Sequence, residues 1–115
     1  MRVAALMGLL AVALGAFGAH GLQNTLVQNN TTDIWKTASW YHLLHAVMLF
    51  VLGTRQPVRT GPWLCFFAGI LIFSGSLYLL AVTNLKWLGA ITPLGGVGLL
   101  AGWLWLCLKP DKTAW

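Results

Sequence analysis

Charge is what this sequence has least of. Seven Lys and Arg and two acids make up 8% of 115 residues, against 58% hydrophobic, where a soluble domain carries roughly a quarter charged residues. So few charges cannot form the polar shell of a 12.5 kDa globule, which excludes water as the main solvent and leaves lipid. The scarcity of acids excludes paired-carboxylate chemistry, because Asp33 and Asp111 both fall outside the apolar runs. Cysteine is scarce too: Cys65 and Cys107 lack CxxC or His-Cys spacing, so neither a zinc site nor a disulfide framework is indicated. No Ser/His/Asp set and no phosphate-binding glycine loop is present, and an enzyme is not expected. The net charge of +5 is spread singly between apolar runs, without the basic stripe that a nucleic-acid partner requires.

What is there is length in apolar residues. A bilayer core needs about 20 of them per helix, and four segments approach this: residues 3–21, 37–53, 63–82 and 87–108, none holding Asp, Glu, Lys or Arg. The expectation is a single all-α domain, a compact bundle of four transmembrane helices. Asn/Thr-rich residues 23–36, the stretch around Pro57 and residues 83–86 punctuate it. Thr31, Thr32 and Asp33, good capping residues ahead of Ile34, offer the second span an earlier start. The first span has a signal-peptide look, but its apolar run exceeds the usual h-region of about 7 to 15 residues, and a retained helix is expected. With four spans, Arg2, Arg55, Arg59, Lys109 and Lys112 share one side and Lys36 and Lys86 the other. The positive-inside rule then places both termini in the cytoplasm of a cell with this inner membrane. The tryptophans agree: Trp35, Trp40 and Trp87 fall near the outer boundary, and Trp63, Trp103, Trp105 and Trp115 near the inner one.

Apolar helices in lipid associate through small residues that let backbones approach. Gly8, Gly15 and Gly18 stand at helical spacing in the first span and Gly95, Gly98 and Gly102 in the fourth, so these six are expected to pack helix on helix, within the chain or across a homo-oligomer. Polar residues concentrate in the outer half of the membrane: His20; Tyr41, His42 and His45; Ser74, Ser76 and Tyr78; Thr92. Because buried polar groups in hydrocarbon need partners, a shared hydrogen-bonded layer is expected there. Pro93, followed by Gly95 and Gly96, predicts a kinked or irregular start to the fourth span. Three uses fit such a layer: fastening the bundle, relaying protons or a solute, and holding haem or copper between His20 and His42 or His45. No metal or cofactor is assigned.

Four stretches together carry a family resemblance: Gly15-Ala16-Phe17-Gly18-Ala19-His20-Gly21-Leu22; Thr37-Ala38 with Tyr41-His42 and His45-Ala46; Phe73-Ser74-Gly75-Ser76-Leu77-Tyr78; and Gly89-Ala90-Ile91-Thr92-Pro93-Leu94-Gly95-Gly96. Their order and spacing resemble the small membrane proteins grouped as domain of unknown function 423, related to transmembrane protein 256. The resemblance implies a four-helix bacterial inner-membrane protein and implies no molecular activity. The functional expectation is a structural or accessory subunit of a larger membrane complex, with the bilayer and a membrane-protein partner or homo-oligomer around it. The alternative is a small oligomeric channel or carrier using the polar layer.

Overall fold

A computed structural model describes residues 2–55 and 59–108. Pro57, Lys109, Asp111, Lys112 and Trp115 lie outside the described residues. The described chain forms helices α1 (Arg2–Ala19), α2 (Gln23–Asn29), α3 (Thr32–Thr54) and α4 (Thr60–Thr83), a 3-10 turn (Lys86–Ala90) and α5 (Thr92–Leu108). There is no strand among the described residues, so the all-α expectation holds.

Three segments are long and apolar enough to cross a membrane: Arg2–Ala19, Thr60–Thr83 and Lys86–Leu108. The four expected spans are thus met by three on composition. The exception is α3, whose 23 residues reach about 34 Å at 1.5 Å each but which carries Asp33, Lys36, Ser39, His42 and His45. It also begins five residues ahead of the expected 37, which moves everything on it about 8 Å deeper relative to its own start.

The long helices run antiparallel in sequence. Trp35 meets Leu14 while His42 faces Met7; Ser74 meets Ala38 while Trp63 meets Leu49; Ser76 meets Thr92 while Gly102 abuts Phe66. The packing is a row more than the expected compact bundle. Among the described residues the backbone of α1 runs beside α3 and α2, and that of α5 beside α4 and the 3-10 turn, with Trp103 reaching across to His45 on α3, giving extents of 49 × 26 × 17 Å. One core, built from Ala4, Met7, Leu49, Leu52, Phe66, Ile70 and Leu99, fills the end near the start of α1. A smaller one at the other end gathers Leu26, Trp35 and Ala81.

Local chemistry sets the breaks. Asn30 takes the left-handed conformation (φ 57°) that a helix terminus favours and Asn tolerates. Its N–H and that of Thr31 bond back to Val27 and Leu26, at 3.1 and 2.9 Å, closing α2 in a Schellman motif. Asn84, at φ 60°, ends α4 in the simpler left-handed cap, its N–H reaching the Leu80 carbonyl at 2.7 Å. The irregularity expected near Pro93 is a full break: the chain turns through Lys86–Ala90 and restarts at Thr92, which leaves Pro93 in a first turn where a missing N–H costs nothing.

The stretch before residue 32 is more than a connector. Asn29 Nδ2 donates to the carbonyls of Ala81 and Val82 at 3.1 and 3.0 Å, and Thr31 Oγ1 donates to Ala81 at 2.7 Å. These carbonyls belong to the last turn of α4, where no helical N–H remains to meet them. Thr31→Val, isosteric and buried, is therefore expected to lower stability by about 1 kcal/mol, read as a lower melting temperature in detergent with helix content unchanged. An unaltered melting curve would show the staple to be idle.

The glycine faces separate into two kinds. A Cβ on Gly95 would overlap the Phe73 backbone, one on Gly102 the Phe66 ring and one on Gly18 the Trp35 indole, and one on Gly98 would lie 3.3 Å from Gly69 Cα. Those four pack as small residues do between helices. Gly8 and Gly15 have nothing within 4 Å of such an atom, so within one chain they pack against no helix.

Candidate functional site: two tiers of polar contacts

The polar side chains do not gather in one layer. At the tier nearer α2, Ser76 Oγ and Thr92 Oγ1 lie 2.6 Å apart and join α4 to α5; one hydroxyl donates to the other, and the one that accepts is free to donate to a backbone carbonyl of its own segment, Phe73 at 3.0 Å for Ser76 or Leu88 at 3.3 Å for Thr92. Ser74, buried, donates to the Ala38 carbonyl at 2.9 Å and joins α4 to α3. Trp35 Nε1 donates to Leu14 at 3.0 Å and joins α3 to α1.

The deeper tier is built on the histidines of α3. His45 is 2% exposed. An indole N–H can only donate, so Trp103 Nε1, 2.9 Å from His45 Nε2, makes that nitrogen the acceptor. The ring proton therefore sits on Nδ1, which donates to the Tyr41 carbonyl 2.7 Å away. Phe66 packs against both rings, its centroid 5.4 Å from His45 and 5.1 Å from Trp103, and Tyr41 stacks parallel to His45 at 6.1 Å. Both imidazole nitrogens are committed, in one tautomer, to groups that are neither metal nor exchangeable proton carriers. His42 Nδ1 meets Tyr78 Oη at 3.0 Å, and the ring also turns to the Met7 backbone on α1.

The eight expected polar residues thus divide. Ser76 with Thr92 and His42 with Tyr78 are brought together as pairs, and Ser74 bonds backbone. Tyr41 is exposed and serves through its carbonyl and ring. His20 lies exposed in the turn after α1 and joins none of them, so the pairing of His20 with His42 or His45 around a haem or copper is not formed. Sequence reasoning missed Trp103 as the partner of His45, having placed it as a boundary anchor, and missed Asn29, Thr31 and Trp63, whose indole donates to Leu49 at 3.2 Å. The available signal was residue type: a Trp on an apolar helix carries one N–H that must be met. No group of three metal-ligating side chains occurs among the described residues.

A cleft opens between α1, α2 and α3. It holds about 350 Å³, with Gly15, Leu26 and Trp35 on its apolar walls and Gln23, Lys36 and Ser39 on its polar side.

Comparison with known proteins matches this helical frame to its relatives. The chain is 47% identical over 115 residues to the UPF0382 membrane protein YwdK of Bacillus subtilis, covering 94% of this chain and 92% of that one. It is 46% identical over 115 residues to a UPF0382 membrane protein of Staphylococcus epidermidis, covering 96% and 93%. No solved structure matches. The profile described as "Protein of unknown function (DUF423)" matches residues 14–96, a stretch that runs from the Leu14 carbonyl under Trp35 to the glycines that seat α5 on α4, and with relatives named as membrane proteins along its whole length this chain is a membrane protein of the DUF423 family.

Proposed function

We propose that the protein is a four-span module of the inner membrane with both termini cytoplasmic, acting as a non-enzymatic structural or accessory subunit of a larger membrane assembly. The fourth span is supported by parity. Both α1 and α4 are antiparallel to α3 and so parallel to each other; two parallel spans need a return segment between them, and α3 packs against both. Its polar side chains are tolerated there because they bond to neighbouring helices. The orientation rests on Arg2, Arg55 and Arg59 at one end of the row and Lys36 and Lys86 at the other.

The observation that carries the subunit reading is His45. The most deeply placed ionisable ring has both nitrogens bonded inside the chain, which is what fastening requires and what a proton relay or carrier site lacks. Interhelical hydrogen bonds of this kind contribute about 0.6 kcal/mol each in membranes, enough in combination to fix helix register.

Orientation is checked with single cysteines in a chain whose Cys65 and Cys107 are replaced by Ala. In intact cells Asn29→Cys should react with an impermeant maleimide and Thr60→Cys only after permeabilisation; the reverse pattern would invert the topology. For the subunit reading, extraction into lipid nanodiscs should yield a particle holding another membrane chain in fixed ratio. A lone chain that conducts ions or solute when reconstituted in liposomes would replace it with the channel or carrier reading.

A further inference from the structure

The cleft beside α2 has three properties that belong together. Its volume of about 350 Å³ falls within the roughly 300–1,000 Å³ of small-molecule sites, and its wall continues along bare α1: Gly15 and Gly8, seven residues apart on one face, have nothing within 4 Å of where a Cβ would stand. Its charge has one sign. Lys36 lines it, no acid does, and no ion pair engages Lys36 among the described residues. Its polar side is unmet: Ser39 Oγ is buried without a hydrogen-bond partner.

An apolar groove leading from a cation and unmet hydroxyl at the membrane boundary is complementary to an anionic amphiphile. We infer that this cleft binds the phosphate or carboxylate headgroup of a membrane amphiphile at Lys36, Gln23 and Ser39, with its acyl chain laid along Gly15 and Gly8. The glycines supply width, since any side chain at Gly15 would narrow the groove. Lys36 supplies preference for negative charge, and Ser39 supplies a hydroxyl donor on the cleft wall. The inference is independent of the subunit reading, because a lone chain and an assembled one carry the same cleft.

The test uses the full chain, delipidated in a neutral maltoside detergent, with binding read by native mass spectrometry. The probes are dioleoyl phosphatidylglycerol, dioleoyl phosphatidylcholine, oleate and inorganic phosphate. Phosphatidylglycerol should be retained about fivefold better than phosphatidylcholine, the worth of one lysine beside an anionic lipid. Lys36→Gln, on an exposed residue, should erase that preference without moving the melting temperature, and Gly15→Leu should reduce retention of both lipids. Phosphatidylglycerol binding more tightly than oleate assigns a phospholipid, and the reverse assigns a free fatty acid. Equal retention of the two phospholipids by the wild-type chain overturns the inference, as does a preference that survives Lys36→Gln. Inorganic phosphate binding as well as phosphatidylglycerol would make it an ion site and overturn the amphiphile. A lipid-free dimer that Gly15→Leu dissociates would put a second copy in the groove instead.

Discussion

Gly95→Ala is expected to cost about 3 kcal/mol or more, and Gly8→Ala to raise stability by up to about 1 kcal/mol. The two substitutions add the same methyl group to glycines of the same type of sequence, and only the neighbours differ. At Gly95 the new carbon would meet the backbone N and Cα of Phe73, which no rotamer change can move aside, so α5 must back away from α4 along the seam that also holds Gly98 against Gly69. Overpacking of this kind costs about 1–3 kcal/mol where side chains can yield, and more where they cannot. At Gly8 nothing lies within 4 Å, and the change removes the backbone entropy that makes Gly a poor helix former, about 1 kcal/mol relative to Ala. Unfolding in mixed micelles followed by helix ellipticity reads both. Opposite signs from a single added carbon would establish which glycine stripe holds the chain together; destabilisation by Gly8→Ala would mean that α1 is covered by something outside the chain.

That contrast marks where sequence stops being informative. The period of Gly8, Gly15 and Gly18 resembles that of Gly95, Gly98 and Gly102, and spacing alone assigns the same role to both. Which stripe meets a neighbour depends on α1 standing at the end of the row, touching α3 and α2 only, and that follows from contacts distant in sequence. The helices themselves were legible because apolar length and punctuation are local: residues 63–82 were read inside α4 as Thr60–Thr83. The end of α4 was legible as a turn for the same reason, Asn84 being a residue that accepts positive φ.

The polar tiers were legible in kind and not in partner. Polar groups in lipid must pair, and Ser76 with Thr92 does so. The single layer failed on depth and reach. Counting α3 from residue 37 put His45 about 12 Å along it, whereas the helix begins at Thr32. At 1.5 Å per residue His45 then stands about 10 Å below Ala38, the residue that Ser74 reaches, too far inside for Ser76 and Thr92. Likewise Asn29 and Thr31 read as loop residues because their acceptors at Ala81 and Val82 lie more than 49 positions away. Capping of one helix by the flank of another leaves no local period to detect.

Trp103→Phe and His45→Ala are expected each to lower stability by about 2–3 kcal/mol, and the double variant by clearly less than their sum. Removing the indole N–H leaves His45 Nε2, at a ring 2% exposed, without a donor, and an unmet buried acceptor costs about 1–3 kcal/mol. Removing the imidazole strands the Trp103 N–H in the same way and also empties the space that Phe66 and Trp103 close around, with ring centroids at 5.4 and 5.9 Å from His45, so a cavity cost adds to it. In the double variant neither unmet group remains, and the difference from additivity measures the contact itself. His45→Gln gives the stricter reading: an amide can accept from Trp103 and donate to Tyr41, the two roles the ring performs, so it should recover part of what His45→Ala loses. Melting temperatures of the four chains in one detergent decide it. Strict additivity, or a glutamine variant no better than alanine, would mean that packing of the rings and not the Trp103–His45–Tyr41 chain of hydrogen bonds ties α5 to α3.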